Sequence, residues 1–329
     1  MRFTVFLQSA RHLNVVGLAN GHGGRHLGCE HAIRAIQQST FFQNSRVPVK
    51  WRATIDETVS GRQSDALDGV IQNSRQLSSA VRTILENQMN SKDDNNELLV
   101  FGGDHSCAIG TWSGVSSAMR QYGDVGLIWV DAHLDSHTLD SSPTKNLHGT
   151  PVAHLLGIGH EALTKVGDAK PKIKPQNLCF VGIRSFEDAE QELLSRLGVR
   201  IFYDNEVQRR GIAQCMDEAI ALVNRDTMGY GLSIDLDAFR VNESPAVGTP
   251  EVGGINAAEF LDYVRENPFD ARLLATEIVE FMPHKDDVWR RSERLLVDLV
   301  ESIYLPKLFA EEFENQQTQI DKPQRRAAI

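Results

Sequence analysis

Short runs of β-branched and aliphatic residues alternate along this chain with longer stretches whose apolar positions recur every three or four residues. That alternation is the signature of repeated βαβ units around a mainly parallel sheet, and it fixes the fold class as α/β. The spacing predicts strands at 12–18, 47–53, 97–101, 125–130, 177–181, 199–202, 231–234 and 273–278. Between them, Leu67, Val70, Ser74, Leu77, Val81 and Ile84 trace one helical face. Ile212, Cys215, Ala219, Leu222 and Val223 trace a second, and Val288, Leu295, Leu299 and Ile303 a third. Polar stretches at 91–96, 139–145 and 168–175 read as surface loops. No linker rich in Pro, Gly or Ser divides the run, so residues 1–313 read as one domain, with the Gln-rich 314–329 as a solvated tail.

Charge and apolar run length exclude several partners. The chain has 34 Lys and Arg against 44 Asp and Glu, a net charge of −10, which argues against a broad phosphate-binding surface and therefore against nucleic acid. The longest apolar runs are strand-sized, well short of the ~20 residues that cross a bilayer, so no membrane partner is expected. Cys29, Cys107, Cys179 and Cys215 form no CxxC pair and read as reduced thiols, Cys107 as a small core residue, which points to the cytoplasm. The glycines of 21–28 lack the spacing of a dinucleotide loop and read as a turn beside a site, with His22, His26 and His31 at the surface or rim.

Chemistry concentrates where strands end. GGDHS (102–106), DAHLD (131–135) and SIDLD (233–237) each follow or finish a predicted strand. Ligands of open α/β sheets bind outside the carboxyl ends of the strands, so the three motifs can converge on one pocket. Asp131, His133 and Asp135 fall at i, i+2 and i+4, and Asp235 and Asp237 at i and i+2, so alternate side chains share one direction. His105 is available as a sixth group from a neighbouring strand. So many carboxylates in one place resist ionising unless a cation sits among them. Four Asp and two His without Cys suit Mn²⁺ or a similar divalent ion such as Co²⁺. Two such ions ~3.5 to 4 Å apart can share carboxylates and activate a water, the machinery of a hydrolase. For GGDHS taken alone, a helix cap is as good a reading as a ligand.

With these motifs the chain resembles the ureohydrolases, the family of arginases, agmatinases, formimidoylglutamases and related guanidino-acid hydrolases, over roughly residues 17–305. The resemblance implies a three-layer αβα sandwich, two Mn²⁺ per chain, and attack on a guanidinium carbon by a hydroxide bridging the metals. It assigns His105, Asp131, Asp135 and Asp235 to one or both ions, completes the set with His133 and Asp237, and lets Asp135 accept a hydrogen bond from the hydroxide. KNLHGTPV (145–152) is similar to the arginase segment whose His shuttles protons, here His148. VGTPEVGGI (247–255) is similar to the segment lining the guanidinium end, where Thr249 contacts substrate, and Glu280 in EIVEFMP matches the Glu that pairs with the guanidinium. Glu277 competes for that role. The arginase pattern is the nearest, which implies conversion of L-arginine to L-ornithine and urea by a homo-oligomer, trimer or hexamer.

Departures fall where substrates are distinguished. His137 stands where arginases carry Asn at the end of DAHxDxN, with Ser142 and Thr144 as hydroxyls for an α-carboxylate. GIRSFE replaces GLRDVD, which leaves Glu187 to hold the α-amino group and puts Ser185 in place of an Asp, and Arg240-Val241 replaces Asp-Pro. These departures keep open another small guanidino substrate, namely agmatine, a guanidino acid or formimidoylglutamate. A non-catalytic regulatory or scaffold relative is the remaining alternative.

Overall fold

In the computed structural model, which describes residues 11–58, 66–90 and 97–309, the eight apolar runs become β1 (Leu13–Ala19), β2 (Val49–Asp56), β3 (Leu98–Phe101), β4 (Val125–Val130), β5 (Leu178–Ile183), β6 (Arg200–Tyr203), β7 (Gly229–Asp235) and β8 (Leu273–Val279). They pair in parallel throughout, in the order β2-β1-β3-β8-β7-β4-β5-β6. Alternate residues of one strand feed two separate cores, which is what a sheet covered on both faces requires. Leu99 and Phe101 of β3 and Ile128 and Val130 of β4 join the helices Ala32–Gln38, Ile212–Val223, Ala257–Glu266 and Arg291–Leu308. Leu98, Val100, Leu127 and Trp129 face the helices Ala66–Asn90 and Ala108–Met119 instead. The result is a three-layer α/β sandwich with an all-parallel sheet. Residues 91–96 and 314–329, expected to be a loop and a tail, lie outside the described residues.

The structure corrects the sequence reading in three places. β2 runs to Asp56 rather than Ala53, because this edge strand exposes every second residue and the apolar signal fades before the pairing with β1 ends. Val288 is 88% exposed and precedes the helix, which begins at Arg291. The stretch 168–175 is not uniformly at the surface: Ile173 is buried, and Lys172 turns inward to donate to the carbonyls of Thr164 at 2.9 Å and Asp168 at 2.8 Å. An ammonium satisfied by carbonyls can be buried where an unpaired one cannot.

The sheet order places β3, β8, β7 and β4 side by side at the centre, so the segments following all four converge. Gly231 of β7 is required for what lies beneath them. A Cβ there would stand 1.9 Å from the ring of Trp112, whose indole reaches across to Glu277 of β8.

Candidate metal centre

Each motif is set in place by backbone hydrogen bonds at its strand end. Asp104 caps the turn after β3: one carboxylate oxygen accepts the N–H of Ser106 at 3.0 Å, the other that of Gly23 at 3.0 Å. The cap reading of GGDHS therefore holds for Asp104, and it frees His105 to point over the sheet edge. Its Nδ1 lies 3.1 Å from Asp131 Oδ2 and 3.2 Å from both Asp135 Oδ2 and Asp235 Oδ2. His133 Nδ1 lies 3.1 Å from Asp237 Oδ2 and 3.5 Å from Asp131 Oδ1. Two clusters result, His105–Asp131–Asp235 and Asp131–His133–Asp237, with the possible ligand atoms of each within 4.8 Å of one another and Asp131 common to both. The four Asp and His105 are buried, and His133 is half-buried.

Asp131 Oδ2 also accepts the indole N–H of Trp129 at 2.8 Å, and its Oδ1 the N–H of His133 at 2.7 Å. Asp235 Oδ1 accepts the N–H of Asp237 at 2.8 Å. Thr249 Oγ1 donates to Asp237 Oδ2 at 3.2 Å, which brings that predicted residue to the cluster.

The electrostatics call for a positive charge in the middle. Burial pushes the carboxyls of Asp135 and Asp235 up, and neighbouring acids push further; burial also raises Asp237, against the pull of His133. His105 shows what kind of charge fits. Ser233 Oγ donates to Glu277 at 2.9 Å and sits 3.0 Å from His105 Nε2, so Nε2–H donates to Ser233 in the neutral ring. Its Nδ1 then presents a lone pair to three carboxylates, and this buried atom has no hydrogen-bond partner. Only a proton or a cation resolves that confrontation, and the donor set of carboxylate oxygens and imidazole fits a divalent ion.

Glu280 follows β8 with φ of 64°, and Asp135 has φ of 43°, left-handed conformations rare for side-chain-bearing residues and maintained only where surrounding contacts enforce them. Glu280 N donates to Gly103 O at 2.8 Å. Its Oε1 accepts the N–H of His105 at 2.8 Å and lies 3.2 Å from His148 Nδ1, while Oε2 accepts the Cys29 thiol at 3.4 Å. Burial would raise the Glu280 carboxyl, yet the His148 contact holds it below its ordinary range. Burial likewise opposes the charge on His148, but Glu280, Asp135 and Asp104 outweigh it and lift its pKa to about 9. A raised His pKa contributes stability that is complete below the unfolded value of ~6.5 and disappears as pH rises through the folded one. In the metal-free chain, the stability difference between wild type and His148→Asn should therefore be largest at about pH 5 to 6.5 and shrink towards pH 9, as read by urea unfolding at several pH values. A difference that grows with pH would contradict the pairing.

Glu277, the competitor for Glu280's role, sits beneath the site. It is fully buried and accepts from Cys107 Sγ at 3.4 Å, Trp112 Nε1 at 3.1 Å and Ser233 Oγ at 2.9 Å, so it backs His105 by way of Ser233. Glu277→Ala should cost about 2 to 4 kcal/mol, because an indole N–H and a hydroxyl lose their buried acceptor. Urea unfolding of the metal-free chain checks this, and a loss below ~1 kcal/mol would contradict it.

Of the remaining predicted residues, His137 and Glu187 touch each other, while Ser142 and Thr144 make local contacts within their own loop. His137 is buried with both ring nitrogens engaged, Nδ1 with Ser141 Oγ and Nε2 with Glu187 Oε2, each at 3.0 Å. Its hydrogen-bonding capacity is thus used within the protein. Glu187 and Glu190 form a capping box on the helix Asp188–Leu197, and Glu190 Oε1 also accepts the N–H of Ser136 at 3.0 Å. His137, Glu187 and Glu190 therefore form a third acid–imidazole group whose Glu190 already has a structural task. Ser142 is buried, its Oγ accepting from Lys145 N at 2.9 Å; Thr144 is exposed, its Oγ1 accepting from Asn146 N at 3.3 Å. His148 N donates to Gly23 O at 3.0 Å, so the glycine-rich turn borders the site as expected. Sequence reasoning missed Trp129 and Ser233 as supports. Each stands two residues before an Asp of the clusters, Asp131 and Asp235 respectively, a signal that i, i+2 spacing contains.

Fold and site together define the class: an α/β protein with two adjoining acid–imidazole clusters at the carboxyl edge of a parallel sheet, each able to hold a cation. The sequence model of the Arginase family matches residues 13–305, and the chain belongs to that family. It is 36% identical to the arginase of Bacillus subtilis strain 168 over 243 residues, 74% of this chain and 78% of that protein. The crystal structure of arginase from Bacillus subtilis superposes with a TM-score of 0.79 at 30% identity, covering 89% of this chain and 98% of that one. The structure of Entamoeba histolytica arginase in complex with L-ornithine does so with a TM-score of 0.79 at 26% identity, again covering 89% and 98%.

Proposed function

We propose that this chain hydrolyses L-arginine to L-ornithine and urea at a dimanganese centre held by His105, Asp131, His133, Asp135, Asp235 and Asp237. The observation that carries the reading is the pair of His/Asp clusters sharing Asp131, with Glu280 and His148 in contact beside them. Paired divalent ions, when bound, supply Lewis acidity and a water that is nucleophilic near neutral pH. The chain's own groups do the rest. Glu280, ionised and buried, offers a planar guanidinium its negative charge and Oε2, which has only the weak Cys29 thiol against it. Asp135, 3.2 Å from His105 Nδ1, receives the proton released when water adds to the guanidinium carbon. His148 gives a proton to the departing amine as its bond to that carbon breaks. At the other end of the substrate, Glu187 addresses the α-amino group and Ser142 and Thr144 the α-carboxylate, while His137 holds Glu187 in position.

His148→Asn should lower kcat by about 10²-fold and remove the basic limb of the pH profile of kcat/KM, which in wild type lies at or below pH 9 because bound cations can only lower the His148 pKa. An unchanged profile in the variant would contradict this role. The same reading places the catalytic unit in residues 1–313 and has the chain work as a homo-oligomer in the cytoplasm. All four cysteines are free and buried, which agrees with a reducing compartment. The direct experiment strips the protein with a chelator and restores Mn²⁺. Urea and ornithine should be absent before and appear in equal amounts after, whereas release that ignores Mn²⁺ would sink the proposal.

A further inference from the structure

We infer that Glu251 is the positioning residue of His133, its carboxylate holding the ring from the loop after β7 so that Nδ1 stays aimed at the cation cluster. The inference rests on the metal reading above and goes beyond it by giving a task to Glu251, which lies in the segment 247–255 beside Thr249 and has no role in that reading. His133 Nδ1 faces Asp237 and Asp131, which turns Nε2 outward, and the group it meets is Glu251 Oε1 at 3.6 Å. That distance is a few tenths of an ångström beyond a hydrogen bond, and the Glu251 side chain is exposed enough to close the gap. A ligating histidine needs its second nitrogen to donate to an acceptor, which fixes both tautomer and ring plane.

Two further contacts show that Glu251 is placed for this task. Ser185 Oγ donates to the same Oε1 at 3.1 Å, and Ser185 is bridged in parallel to His133 through the backbone, so the hydroxyl and the ring lie side by side. Arg184 then fastens the Glu251 loop to the end of the metal strand. Its guanidinium donates to Glu251 O and Val252 O, each at 3.2 Å, and to Asp237 O at 2.6 Å. Gly254 permits the approach, since a Cβ there would stand 3.0 Å from Arg184 Nη2. The two metal histidines are thereby backed in parallel ways, His105 by Ser233 and Glu277 from the core, His133 by Glu251 and Ser185 from the solvent side. The Ser at position 185 fits this arrangement, because the carboxylate arrives from another segment.

The test titrates Mn²⁺ into metal-stripped wild type and Glu251→Gln, following calorimetric affinities and the electron paramagnetic resonance of the bound ions. Wild type should take up two ions with a spin-coupled spectrum. In the variant one affinity should fall about 10- to 100-fold while the other stays within about twofold, and isolated Mn²⁺ signals should replace coupled ones at two equivalents. Two unchanged affinities in the variant overturn the inference alone. Equal weakening of both sites together with a lower unfolding midpoint of the metal-free variant also overturns it, since that is a merely structural role. Fewer than two ions in wild type overturns the metal reading and this inference with it.

Discussion

Asp135→Ala is expected to lose about 10³-fold or more in kcat. Asp135 belongs to the group that surrounds His105 Nδ1, it is 8% exposed, and its backbone is held at φ of 43° so that the carboxylate turns back towards the cluster. Deleting it removes a negative group where two cations have to be balanced and the group proposed to take the proton from the attacking water. The left-handed backbone supplies a control. Asn tolerates that conformation about as well as Asp, so Asp135→Asn isolates charge from strain, whereas Ala adds a backbone penalty of about 1 kcal/mol. Both variants should be nearly inactive in a urea-release assay, with Asn the more stable to urea. Turnover within tenfold of wild type in either would remove Asp135 from the mechanism.

Glu280→Gln is expected to lower kcat/KM for arginine by about 10²-fold or more, chiefly through KM. The substitution keeps an acceptor for the N–H of His105 but discards the charge that a guanidinium and His148 both seek. Removing one partner of a buried charged contact costs about 2 to 5 kcal/mol, and here the partners left behind are the substrate and His148. Product-inhibition measurements separate this from misfolding. Ornithine lacks the guanidinium, so its inhibition constant should move far less than KM for arginine. Equal shifts in both would mean that Glu280 supports the whole pocket rather than the guanidinium.

Most of the fold, and the convergence of the His and Asp residues into two clusters, were legible because they follow from short-range periodicity. Strands covered on both faces read as continuous apolar runs, and ligands two residues apart at a strand end declare a shared direction. The edge strand β2 was misplaced for the same reason, since its half-exposed pattern weakens the signal. Val288 entered a helical face because periodicity counts apolar residues without knowing where a helix begins. Glu277 and Glu280 could not be told apart from composition. What separates them is that Glu277 lies within β8, aimed at the buried Trp112, while Glu280 follows its last residue in a left-handed turn. The engagement of both His137 nitrogens and the reach of Glu251 to His133 depend on how distant loops meet, and no local pattern encodes them.

The paired clusters are proposed to act on arginine, while His137, Ser185 and Arg240 are the positions at which the sequence resemblance left other guanidino substrates open. The most direct measurement loads the full chain with Mn²⁺ and compares kcat/KM for L-arginine, agmatine, a guanidino acid and formimidoylglutamate, with the products identified. Arginine should be preferred at least tenfold, giving urea and ornithine in equal amounts. A higher kcat/KM for any of the other three, or no hydrolysis of any with two Mn²⁺ bound, would contradict it.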